Sequence, residues 1–134
     1  MTEKKTGTPA ICPTLLYEDA KAAIAQLKEA FGFTEGGVYE DEGVVLHAEL
    51  WFGNGAVMLG SKSFDDSFNK EMAGAGPAAC YVRVDDVDAH CARARQAGAE
   101  ILEEPADQDY GARSYRARDR EGNIWSFGDY APGS

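Results

Sequence analysis

The sequence predicts an α+β fold made of two βαβββ modules. Three observations predict it: a shift of 67 residues lays the chain's punctuation marks on one another, each half carries one amphipathic helix behind an aspartate, and short strand-like runs flank each helix. Under that shift Asp19 falls on Asp86 and Gly55 on Gly122. The helices repeat as well, with Ala20, Ile24, Leu27 and Phe31 on one apolar stripe and Val87, Cys91, Ala94 and Gly98 on the other.

The elements follow in order. Ile11 to Tyr17 reads as a first strand, and Asp19 as the N-cap of the first helix, its short carboxylate accepting from the orphan amides of the first turn. Gly32 suits the end of that helix, where a left-handed residue closes the last turn. Three extended runs come next: Thr34 to Glu40, Val44 to Phe52 and Ala56 to Ser61. The second module repeats the order with a strand at Ala79 to Val84, a helix between Asp86 and Gly98, and strands at Glu100 to Glu103, Tyr110 to Arg118 and Asn123 to Gly128. The string KSFDDSFNKEMAGAG, Lys62 to Gly76, has no periodicity and reads as a connector pinned by Phe64 and Phe68. The organisation expected is a single domain over residues 1–134, with a first module at 9–61, a connector at 62–76 and a second module at 77–130. One module leaves a sheet face bare, so two modules must share a cavity, within one chain or between chains, and function should reside there.

A chain of 134 residues with 44% hydrophobic and 27% charged residues suits one compact core. The N-terminus MTEKKTGTPA is polar, and no run approaches the roughly 18 apolar residues of a membrane span, so neither a membrane nor a secretory route is expected and the cytoplasm is the expected location. Thirteen Lys and Arg against 23 Asp and Glu give a net charge of −10, which repels nucleic acid and weakly favours cationic ligands. Cys12, Cys80 and Cys91 are odd in number and lack CxxC spacing, so they read as reduced, buried thiols.

The strings HAELWFGNGAVMLGS (His47 to Ser61), YVRVDDVDAHCARARQAGAEI (Tyr81 to Ile101) and YGARSYRARDREGNIWSFGDY (Tyr110 to Tyr130) resemble the glyoxalase/bleomycin-resistance/dioxygenase family of the vicinal oxygen chelate superfamily. The resemblance implies an incompletely closed, barrel-like sheet with a concave cleft, helices on its convex side, and a homodimer. It also implies where metal-dependent members carry ligands. Those positions fall here on Cys12, on Met58, Leu59 or Gly60, on Ala79 and on Ser126, and only cysteine among these is a credible donor, a soft one. His90 lies on the second helix, away from the cleft. No cofactor is therefore expected, the weak alternative being a divalent metal on Cys12, His47 and Glu49.

Strand alternation places Leu46, Ala48, Leu50 and Phe52 against the helix, and Val45, His47, Glu49 and Trp51 on the cavity face. An aromatic wall beside a carboxylate and an imidazole is a binding constellation, although His47 and Glu49 could equally satisfy one another or an arginine. Arg116 corresponds to Glu49 in the repeat and is the arginine expected there. Tyr81, Arg83, Ser114 and Arg116 complete the candidate cleft from the second module, and Arg113 in the YGxR turn can hold either a ligand anion or a nearby carboxylate, the structural role being the one expected. Trp125 and Phe127, alternating with Ser126, are expected in the core.

The leading reading is a binding protein that sequesters a cationic or aromatic small molecule without turnover, as bleomycin-resistance proteins do in an antibiotic-resistance role. A second is a lyase or isomerase of glyoxalase type, or a dioxygenase-related enzyme, with His47 or Glu49 as general base and a non-standard or absent metal site. A third is a structural or regulatory dimer whose cleft is filled by its own side chains.

Overall fold

The computed structural model describes residues 8–133. Eight strands and three helices run through them in the order β1 (Thr14–Tyr17), α1 (Ala20–Glu29), β2 (Thr34–Asp41), β3 (Val44–Phe52), β4 (Gly55–Ser61), α2 (Ser67–Glu71), β5 (Ala79–Arg83), α3 (Val87–Gln96), β6 (Glu100–Asp107), β7 (Arg113–Arg118) and β8 (Ile124–Gly128). The strands form two four-stranded sheets, β1-β4-β3-β2 and β5-β8-β7-β6, neither closed on itself. In each, the first strand pairs in parallel with the last and the other pairings are antiparallel, so the βαβββ repeat read from the sequence is the repeat of the structure. None of the helices among the described residues is long and apolar enough to cross a membrane.

Contacts divide the chain into two compact units, the first running to Lys28 and over Gly32–Ala75, the second from Gly76 onward with Glu29–Phe31 added. In the first, α1 buries Ala20, Ala23, Ile24 and Leu27. Asp19 accepts from the Ala22 amide at 3.1 Å, and Gly32, at φ 84°, ends the helix by donating to the Lys28 carbonyl. In the second, Asp86 caps α3 through the Ala89 amide at 3.0 Å, while Gly98 and Ala99 donate back to Arg95 and Ala94. Trp125 and Phe127 are wholly buried with Tyr115, Cys91 and Ala94, and the Phe31 ring lies 5.0 Å from that of Phe127.

Three strand boundaries move by three or four residues from the sequence reading, and the connector gains a helix. β1 begins at Thr14, leaving Ile11 87% exposed, because Pro13 has no amide to give the ladder and contributes only its carbonyl, to Met58. β6 continues through Pro105 to Asp107, which an edge strand tolerates. β7 starts only at Arg113, after a turn in which Gly111 takes φ 89° and donates to the Gln108 carbonyl. The connector is not featureless: it holds α2, capped by Asp66 through the Asn69 amide at 2.9 Å, and it packs with the first unit.

The cysteines differ as well. Cys91 is buried, but Cys12 and Cys80 are only half-buried, and all three are free thiols. Burial raises the Cys80 and Cys91 thiols above the ordinary range.

Candidate functional site

The first sheet places His47, Glu49 and Trp51 in a row along β3, opposite the face on which Ala48 and Leu50 enter the core. His47 Nε2 stands 3.2 Å from Glu49 Oε2, and the two side chains are 42% and 40% exposed. Tyr39, across the β2–β3 ladder from His47, stacks on the imidazole with ring centroids 6.2 Å apart. Trp51 lies directly over backbone: a Cβ added at Gly36 would sit 2.9 Å from its Nε1. The glycine pair Gly36–Gly37 coincides with a register shift in β2, where an extra residue bends the strand beside the indole.

A second irregularity changes the alternation. Tyr39 pairs with His47 and Glu40 with Val45, so Leu46 is left over as a bulge. Val45, expected on the cavity face, is fully buried, and Leu46, expected in the core, is 38% exposed beside His47. Ser61 makes the inversion possible, its buried hydroxyl accepting from the Val45 amide at 2.9 Å. β4 also passes close to this bulge, where a Cβ on Gly60 would meet the Val45 carbonyl at 3.3 Å. Beside Gly60 lies a hollow of about 210 Å³, bordered by Leu16, Leu46, His47 and Met58 from the sheet and by Phe64, Asp66 and Phe68 from the connector.

The second sheet carries the equivalent row Tyr81, Ser126, Arg116 and Glu103, one residue from each strand in ladder register. Its charges are matched inside the unit. Arg116 pairs with Glu103 at 2.9 Å, the carboxylate that the adjacent strand sets opposite it. Arg83 pairs with Asp85 at 3.0 Å, Ser114 accepts from Gln108 at 3.1 Å, and the Tyr81 hydroxyl donates to the Tyr130 carbonyl at 2.7 Å. Burial raises the Tyr81 phenol, so it stays a neutral donor. Gly128 is pressed beneath it, a Cβ there falling 3.0 Å from the Tyr81 hydroxyl.

Arg113 has the structural role expected of it, bridging Asp88 in the first turn of α3 and Asp107 at the end of β6. Those bonds hold the Asp88 carboxyl below its usual range and the guanidinium above its own. His90 is also structural. Its Nε2–H donates to the Phe31 carbonyl at 2.8 Å, which leaves Nδ1 to accept from the Tyr115 hydroxyl at 2.6 Å. Burial lowers the His90 pKa below its ordinary value.

The ladder selects Met58 among the three first-module positions considered for a metal, since Met58 pairs with Glu49 as Ser126 pairs with Arg116. Methionine, serine, alanine at 79 and a half-buried cysteine do not make a hard-metal ligand set. Among the described residues no three His, Cys, Asp or Glu side chains gather closely enough to hold a metal, so Cys12 does not join His47 and Glu49. Sequence reasoning missed Asp66, Phe64 and Phe68 as walls of the hollow, although Asp66 followed by Asn69 is a capping signal that could have announced α2.

A sequence model of the Glyoxalase/Bleomycin resistance protein/Dioxygenase superfamily matches residues 12–127. Among curated proteins, Mb0911c of Mycobacterium bovis, an uncharacterised protein, is 34% identical over 125 residues, covering 90% of this chain and 82% of that one. Rv0887c of Mycobacterium tuberculosis, also uncharacterised, is equally similar and is covered over 74% of its length. Among solved structures, TioX from Micromonospora sp. ML1 matches with a TM-score of 0.79 and 31% identity over 92% of this chain and 99% of that one. A glyoxalase/bleomycin resistance protein/dioxygenase from Nocardioides, at 19% identity and TM-score 0.65 over 94% of this chain and 86% of that one, shares the fold. The chain therefore belongs to the Glyoxalase/Bleomycin resistance protein/Dioxygenase superfamily.

Proposed function

We propose that this protein binds a small aromatic or cationic molecule, without turning it over, on the face of the first sheet that carries His47, Glu49 and Trp51. The observation that supports this most is the half-exposed His47–Glu49 pair, flanked by Tyr39 and Trp51 and adjoining an apolar hollow. A carboxylate between aromatic surfaces suits a flat cation, which gains Coulomb attraction from the acid and cation–π attraction from the rings. On the equivalent face of the second sheet, Tyr81, Arg83, Ser114 and Arg116 already have partners within their own unit, so a ligand on that face would exchange hydrogen bonds with a paired surface. In a relative of proteins named for bleomycin resistance, sequestration of a toxic compound is the corresponding role.

The test is a thermal-shift and calorimetric screen of aromatic cations against neutral analogues, with elemental analysis of the same protein. A ligand at a hundredfold excess over its Kd should stabilise the fold by about 2.7 kcal/mol. Trp51→Ala and Glu49→Gln should each remove most of that stabilisation. Ligand shifts indifferent to both substitutions would overturn this reading.

One observation favours a second reading. With Glu49 accepting from one imidazole nitrogen, the other nitrogen of His47 is positioned as a general base, the arrangement needed for proton abstraction in lyase or isomerase chemistry. Consumption of a screened ligand, abolished by His47→Asn, would replace binding with catalysis as the function.

A further inference from the structure

The hollow beside Gly60 has a chemistry of its own. Its volume, about 210 Å³, is below the ~300 Å³ at which pockets begin to enclose a whole drug-sized ligand, so it suits one ring or one short arm of a larger molecule. Sheet residues Leu16, Leu46 and Met58 give it an apolar floor, and the connector sets Phe64 and Phe68 against them. Among the described residues no lysine or arginine borders it, while Asp66 does. Asp66 uses Oδ1 to cap α2, and a carboxylate has about four acceptor positions, so capping leaves it able to receive a further donor. A site with aromatic walls, one carboxylate and, among the described residues, no lysine or arginine prefers a protonated amine on an apolar stem.

We infer that this hollow is a subsite for the ammonium-bearing arm of the ligand, with Asp66 as its counter-ion and the connector at Phe64–Asn69 as the element that sets specificity. The inference rests on the reading that the adjoining His47–Glu49–Trp51 face takes a ligand, and it adds where the positive charge is read and by which residue. α2 is held to the sheet by the Asn69 side-chain amide, which donates to the Ser61 carbonyl at 2.8 Å, so the wall carrying Asp66 is fixed to the strand that forms the floor.

The probes are phenethylammonium and its neutral analogue 2-phenylethanol, titrated into the full chain and followed by amide chemical shifts. Phenethylammonium should saturably move the amides of Leu46, Gly60, Phe68 and Asn69 and bind roughly tenfold more tightly than the alcohol, the lower end for a charge-assisted contact at a half-exposed site. Asp66→Asn keeps an N-cap of equal quality, so the fold persists, and it should bring the two probes within about twofold of each other. Phe68→Ala, at a side chain 41% exposed and outside the core, should weaken both probes together. A preference for the cation that survives Asp66→Asn would overturn the subsite, as would shifts confined to Glu49 and Trp51, although the latter would sustain the sheet-face reading. Saturable shifts at the hollow for phenethylammonium, with Glu49 and Trp51 unmoved by any larger aromatic cation, would sustain the subsite and remove the wider face. No saturable shift with either probe overturns the subsite outright.

Discussion

Replacing the buried Asp119, between β7 and β8, by alanine should destabilise this protein strongly. Asp119 is 4% exposed, and its carboxylate accepts from the Glu121 and Asn123 amides at 3.0 Å each, from Asn123 Nδ2 at 3.1 Å and from Trp125 Nε1 at 3.0 Å. Glu121 stands in a half-exposed turn, and water can replace its lost acceptor. The indole of Trp125 is fully buried and Asn123 is 8% exposed, so the donors they aim at this carboxylate would lose that acceptor out of reach of bulk water. At about 1–3 kcal/mol for each buried orphan, the loss comes to ~4 kcal/mol. For a chain of this size that corresponds to a fall in Tm of roughly 12–15 °C. Urea unfolding followed by tryptophan emission and by far-ultraviolet dichroism measures it, with Asp119→Asn as the comparison, expected to lose about half as much because one acceptor oxygen remains. A loss below ~1 kcal/mol for the alanine variant would show that Trp125 and Asn123 do not depend on this carboxylate, and the reasoning would fail.

Three further predictions concern the same scaffold. His90 is held neutral with a lowered pKa, so the unfolded chain binds its proton first; stability should be full above ~6.5 and decline as pH falls from there through the folded value, and His90→Gln should flatten that slope in urea midpoints measured from pH 8 to 5. Ser61→Ala removes the acceptor for the buried Val45 amide and should cost about 1–3 kcal/mol by urea unfolding, with amide shifts concentrated at Val45 and Leu46. Gly36→Ala should displace the Trp51 indole, seen as a shift in its emission maximum, because the new methyl would stand 2.9 Å from Nε1; an unchanged spectrum would mean that the glycine does not seat the ring.

Periodicity and caps were legible because they are local. Asp19 and Asp86 read as caps, Gly32 and Gly98 as helix ends, and Trp125 and Phe127 as core, and each is so in the structure. Alternation also put His47, Glu49 and Trp51 on one face. It failed at Val45 and Leu46, since the bulge between them is stabilised by Ser61, sixteen positions away, and nothing adjacent to Leu46 in sequence announces it. Repeat register says only which residues are equivalent, as Arg116 is to Glu49, whereas the ladder decides that Glu103 stands next to Arg116. The connector escaped because α2 has only five residues, too short for an apolar period to show.

The position of Phe31 bears on how such a duplicated chain could have arisen and how it can be divided. The residue comes from the first repeat by sequence, yet its ring meets Trp125 and Phe127 and its carbonyl takes the His90 proton donor. A gene fragment beginning at Gly76 would therefore encode all four strands of the second sheet and still lack a piece of the interior that those strands enclose. Split-protein reporters cut at that point should need both halves present to recover a folded second half, and a half-length ancestor would have had to obtain its missing ring from another copy of itself.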